Sequence, residues 1–290
     1  MFKRILVATD LSAASDSVIT CVKGFKSLGV EEVILFYALG LKYLDSLKYV
    51  ITSQVEPALV KQKSTLDSEG FNTVLEIAPG IPSEEVKRVS KEKDVSLIVI
   101  GSHGQSAASH MLFRIGGVTS EILHSHEKPL LLIRTKVSET KGEKCVDVSC
   151  ANFKGRILYA TDFSDTAQRA FDYLEKIVED NCKNVTLLHV QDKSRIEKHL
   201  KDKLDEFNRI DTERLEMLKE KLVKKGAAVE IKIPYGNPMQ EILSESKNDY
   251  SLIVMGSQGR GFIKELFLGS VSHNISRSAD VSVLLVPAIR

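Results

Sequence analysis

The chain has 290 residues, 43% of them hydrophobic and 27% charged, and its 40 basic side chains stand against 39 acidic ones for a net charge of +1. So even a balance sets up no global field toward nucleic acid or an anionic membrane, and any anion must be caught locally. No apolar run approaches the length that spans a bilayer, and the opening MFKRILVATD lacks the apolar core and cleavage site of a signal peptide, so a soluble, cytoplasmic protein is expected.

The first half predicts strands at Ile5 to Thr9, Val33 to Ala38, Thr73 to Ile77, Leu97 to Ile100 and Leu130 to Ile133, separated by segments of helical spacing. Pro57 should kink or split the helix between the second and third strands. Gly80-Ile81-Pro82, with Glu84 and Glu85 behind it, marks the next helix start. Ser138 to Phe153 carries neither period and reads as a linker between domains at 1–137 and 154–290. Cys145 and Cys150 lie in it and read as ordinary thiols, with a local disulfide or a shared metal site as the alternatives.

After the linker the series returns: Ile157 to Thr161, Val185 to Val190, Val229 to Ile233, Leu252 to Met255 and Val283 to Val286. RILVATDLS from Arg4 becomes RILYATDFS from Arg156, with seven of nine letters kept, and VSLIVIGSHG from Val95 becomes YSLIVMGSQG from Tyr250. One unit is written twice. Ser194 to Lys225 is a charged helical stretch with Leu204, Phe207, Leu215, Leu218 and Leu222 as its apolar stripe, and Asn237-Pro238-Met239-Gln240 is a capped helix start. Strands apolar on both faces, joined by helix-length crossovers, predict two open parallel α/β sheets with helices on both sides. The fifth strand of each would be an apolar edge, so the halves are expected to pair as a pseudo-dimer or the chain to form homo-oligomers.

Ligands of such sheets bind at the carboxyl ends of the strands. There the second half carries Gly256-Ser257-Gln258-Gly259, nine residues, then Gly269-Ser270 opening the last helix. Glycines let backbone amides approach an anion, and a helix start offers unpaired N–H groups at the positive end of its dipole. Ser270 and Ser272 would add hydroxyls, with Arg260 and Lys264 nearby in sequence. Asp162, after Ala160 and Thr161, would accept hydrogen bonds from a base or ribose, its competing role being to cap the following helix beside Ser164.

On these residues the whole chain resembles a tandem universal stress protein, whose G-x-x-G, nine residues, G-[ST] pattern is met by Gly256, Gly259, Gly269 and Ser270. The resemblance implies an α/β fold with strand order 3-2-1-4-5 and binding of ATP or AMP, with Mg2+ accompanying ATP. It assigns the nucleoside to Asp162 and Val190, and the phosphates to Met255, Gly256, Gln258 and Gly259 with Gly269, Ser270, Val271 and Ser272. The first half matches at Asp10, Ala38, Gly101, His103 and Gly104. Its next glycine, Gly116, falls two residues late, with Gly117 in place of the hydroxyl residue and Val118-Thr119 following, so this site ranks second.

A P-loop is absent, there being no Gly-Lys pair, and neither half has G-x-G-x-x-G after its first strand, which argues against a dinucleotide dehydrogenase. A two-component receiver needs an acid after the third strand, where the halves read Ile77-Ala78-Pro79 and Ile233-Pro234-Tyr235. An adenine-nucleotide-binding stress sensor or regulator is the preferred reading. The alternatives are a slow nucleotide hydrolase and a nucleotide-free scaffold for an unknown protein partner.

Overall fold

In unit 1, Arg4–Thr9 (β1) sits between Glu32–Leu39 (β2), pairing Ile5 with Val33, and Leu97–Gly101 (β4), pairing Ile5 with Leu97. Asn72–Pro79 (β3) lies outside β2, and Leu130–Thr140 (β5) outside β4, every pairing being parallel. The order is therefore 3-2-1-4-5, built from runs such as Leu6, Val7, Ile34, Leu35, Val99 and Leu131 that are buried on both faces of the sheet. Ala13–Val22 (α1), Glu56–Ser68 (α2), Pro82–Glu92 (α3) and Gly117–Ser125 (α4) are the crossovers.

The computed structural model describes residues 1–39, 55–103, 115–140, 143–192, 204–259 and 268–288. Its chain divides into two units, Met1–Cys150 and Ala151–Arg290. Unit 2 repeats the plan. Ile157–Ala160 (β7) lies between Asn184–Leu188 (β8) and Leu252–Gly256 (β12), with Ala228–Lys232 (β10) outside β8 and Ser282–Val286 (β13) outside β12. Its helices are Asp165–Asp180 (α5), Leu204–Lys224 (α6), Pro238–Glu245 (α7) and Ser270–Ser278 (α8). No described helix is long and apolar enough to cross a membrane.

Three sequence expectations change. The strand expected over Val185 to Val190 stops at Leu188 and resumes as Gln191–Asp192 (β9), which pairs with Tyr235–Gly236 (β11) as a separate two-stranded sheet. Pro234 explains the break: it has no N–H to continue the ladder, and only its carbonyl is used, by the amide of Gln191 at 3.0 Å. Pro57 stands in the first turn of α2, where its missing N–H is harmless, and the residues before Val55, in which the expected kink or split would lie, are outside the described residues. So are residues 194–203 of the charged stretch.

The stretch read as a linker is largely strand. β5 runs on to Thr140 and pairs antiparallel with Glu143–Ser149 (β6), setting Thr135 against Val148 and Val137 against Val146. Cys150, at the end of β6, is also not an ordinary thiol; it forms a disulfide with Cys21 on the buried face of α1, 129 residues earlier. Cys182 of unit 2 is a buried thiol whose pKa burial pushes up.

His126, just past α4, is buried, and its Nδ1 donates to the Leu123 carbonyl at 2.8 Å. Nε2 has no partner among the described residues. Burial holds the imidazole neutral, lowering its pKa to about 4 against the opposing pull of the Leu123 and Ile122 backbone contacts, with His124 adding slightly to the lowering. Between an unfolded value of about 6.5 and that figure, only the unfolded chain takes up this proton, so the contribution is complete above about pH 6.5 and is lost as pH falls through 4. The full loss should be roughly 3 kcal/mol. Urea unfolding from about pH 7 to pH 4 should show it, and His126→Gln should flatten that part of the profile; an unchanged slope would refute the assignment.

Candidate functional site

The site of unit 2 starts where β7 runs out of apolar residues. Asp162 follows at the carboxyl edge, and Phe163 behind it has φ 58°, a left-handed backbone that turns the chain sharply into α5. Ser164 caps α5, its Oγ accepting the Ala167 amide at 3.3 Å. Asp162 therefore does not cap the helix. Its Oδ1 accepts the Ser164 amide at 3.0 Å, while Oδ2 lies on the side of Gly259.

Across the edge, β12 ends in Gly256-Ser257-Gln258-Gly259, held from two directions. On one side, Thr166 and Ser164 at the start of α5 both donate hydroxyl hydrogens to the Gln258 carbonyl, Ser164 at 3.4 Å. On the other, the Ser257 carbonyl accepts the Gly269 amide at 2.8 Å and the Ser272 hydroxyl at 2.6 Å. Ser272 thus spends its hydrogen on the loop, contrary to the expectation that it would reach an anion. Gly269 precedes α8 and has no side chain to cap it, leaving the amides of Ser270, Val271 and Ser272 at the positive end of the helix.

These elements bound a cavity of about 690 Å³. Ala160, Thr161 and Asp162 line it from β7, Val190 from beyond β8, and Met255, Gly256, Gln258 and Gly259 from β12. Gly269, Ser270, Val271 and Ser272 line it from α8. Every second-half residue expected at the site is thereby brought together, except Arg260, which with Lys264 lies outside the described residues.

Sequence reasoning missed one wall. His189, Gln191 and Asp192 enter beyond β8, while Phe207, Ile210, Asp211 and Arg214 reach in from α6. At about 100° per residue, 207, 211 and 214 fall on the same helix face as the buried Leu215, Leu218 and Leu222, so the apolar stripe carries Asp211 and Arg214 among its apolar residues. That mixed face was the available signal.

Unit 1 repeats the frame. Gly116 precedes α4 and its amide donates to the Ser102 carbonyl at 2.9 Å, while the Thr119 hydroxyl donates to the Gly101 carbonyl at 3.0 Å. The two extra residues therefore leave the helix start intact, with Gly117 and Val118 in its first turn. Asp10 accepts the Ser15 hydroxyl at 2.5 Å and the Ser12 amide at 3.1 Å, again without capping α1, a role taken by Ser12. Ala38 stands near the end of β2, and His103 lies with Nδ1 at 3.0 Å from the Thr135 carbonyl. Gly104 and the loop to 114 lie outside the described residues.

Fold and site together define a duplicated α/β protein with an open parallel sheet in each unit and a cavity at the carboxyl edge of the second. The universal stress protein family model matches residues 1–134 and 154–287, and the chain belongs to that family. A universal stress protein from Archaeoglobus fulgidus has a similar crystal structure, with a TM-score of 0.73 and 26% identity over 99% of both chains. Universal stress protein MJ0577 of Methanocaldococcus jannaschii is 29% identical over 161 residues, covering 48% of this chain and 98% of its own. A universal stress protein of Mycolicibacterium smegmatis is 24% identical across 97% of this chain and 96% of its own.

Proposed function

We propose that unit 2 binds an adenine nucleotide, ATP or AMP, and that occupancy of this cavity is the signal the protein passes on as a stress-response regulator. The carrying observation is that a carboxylate and an uncapped helix start border the same space. Asp162 would accept hydrogen bonds from the ribose, and the amides of Ser270, Val271 and Ser272 would receive the phosphates. The fit is specific at Gly259, where even a methyl group would fall 2.8 Å from Asp162 Oδ2 and fill the gap between acid and loop. With ATP, Mg2+ would neutralise the phosphate oxygens.

Calorimetric titration of the full chain with ATP and with AMP should show saturable binding. Asp162→Ala, which leaves the Ser164 cap in place, should weaken it about tenfold or more. Folded protein that takes up neither nucleotide would end this reading.

A further inference from the structure

The wall missed by the sequence carries a second claim, which rests on the nucleotide reading above. His189 Nδ1 stands 2.8 Å from the Thr161 carbonyl, and a carbonyl only accepts, so this nitrogen carries a hydrogen. Nε2 stands 3.4 Å from Asp211 Oδ2. A neutral imidazole would turn its lone pair toward a carboxylate, whereas an imidazolium makes a charge-assisted contact there. Both side chains are nearly enclosed, 12% and 13% exposed, so solvent screens the pair little.

Asp211 belongs to α6, while Thr161 immediately precedes Asp162. The ring of His189 also packs on Phe163, the residue after Asp162, with centroids 4.6 Å apart, and the Arg214 guanidinium of α6 lies 5.2 Å from the other partner in that stack, the Phe163 ring. Gln191 donates to Asp211 at 3.2 Å, and Arg214 comes within 3.9 Å of its other oxygen. Among the described residues, other charges nearby include Asp162 on the β7 loop, Asp192 in β9, and Lys232 of β10. Lys232 accepts the His189 amide through its carbonyl while its ammonium pairs with Glu245 at 2.8 Å and Glu230 at 3.6 Å. In unit 1, Leu11, Tyr37 and Leu39 hold the positions of Phe163, His189 and Gln191, so the arrangement belongs to unit 2 alone among the two repeats.

We infer that His189 and Asp211 are a positioning pair: the protonated imidazole ties α6 to the loop bearing Asp162, so that nucleotide binding by unit 2 depends on pH. Neither residue need touch the phosphates. Losing the proton loosens α6, which contributes Phe207 and Ile210 to the cavity, and unseats the loop that aims Asp162.

Two measurements on the full chain test this. In the nucleotide-free protein, proton NMR should show the His189 imidazole losing its second proton at higher pH in wild type than in Asp211→Asn; identical titrations would overturn the link. In calorimetry with ATP, wild type should lose about tenfold more affinity between about pH 6 and about pH 8 than Asp211→Asn or His189→Gln. The nucleotide's own titration is common to all three proteins and cancels. Parallel pH profiles would overturn the positioning role, because a merely structural residue would lower affinity equally at every pH. If wild type binds no nucleotide at any pH, the functional reading falls instead, and the imidazole titration still decides the link.

Discussion

Reducing the Cys21–Cys150 disulfide should destabilise unit 1 by about 3 to 5 kcal/mol and lower its melting temperature by roughly 10 °C. The bond spans 129 residues, nearly the whole unit, and a cross-link that closes so long a loop removes many conformations from the unfolded chain. It also fixes structure that the parallel sheet alone would not hold. Among the described strands β6 pairs with β5, and its end is tied covalently to α1 where Cys150 bonds the buried Cys21. Calorimetric scans with and without a dithiol should show one transition moving and the transition of unit 2 staying in place. Cys150→Ser should melt at the reduced position and be insensitive to the dithiol. Coincident scans for oxidised and reduced wild type would refute the claim. The thiol of Cys182 is buried in unit 2 and its ionisation is suppressed by that burial, so it does not complicate the comparison.

What the sequence made legible follows from how far each signal reaches along the chain. Parallel strands buried on both faces are written as continuous apolar runs, so Leu97 to Ile100 and Leu252 to Met255 could be placed, and the repeat supplied a second copy as a check. The edge of the site was legible for the same reason: it lies where those runs give way to Asp162 and to Gly256. The hairpin was written more faintly. Val146, Asp147 and Val148 alternate as a strand should, but too briefly to stand out beside the charged residues around Gly142. The disulfide and the His189–Asp211 pair were not legible at all. Each joins residues that only the folded topology brings together, one across 129 positions and the other between a strand end and a helix beyond the undescribed residues 193–203.

The glycines of the loop, which the sequence treats alike, should separate under mutation. A methyl group on Gly256 would fall 2.5 Å from Thr166 Oγ1, 2.8 Å from the Ala167 nitrogen and 2.8 Å from the Thr166 carbonyl carbon. Two of those neighbours are backbone of the first turn of α5, so rotating a side chain brings no relief, and trimming Thr166 would not rescue the variant. Gly256 is therefore the point where β12 and α5 touch, and Gly256→Ala should cost about 2 to 3 kcal/mol of stability in urea unfolding, with nucleotide binding impaired as a consequence. Gly259 differs, because the atom its methyl group would meet at 2.8 Å is Oδ2, a terminal side-chain oxygen of Asp162 and not backbone. That carboxylate can swing aside. Gly259→Ala should stay within about 0.5 kcal/mol of wild-type stability, helped by the smaller entropy of its unfolded chain. Its affinity for ATP should nonetheless fall about tenfold or more, since the displaced acid no longer meets the ribose. Equal stability for the two variants would show that the β12–α5 contact is softer than the backbone positions imply. Undiminished ATP binding by Gly259→Ala would remove Asp162 from the site.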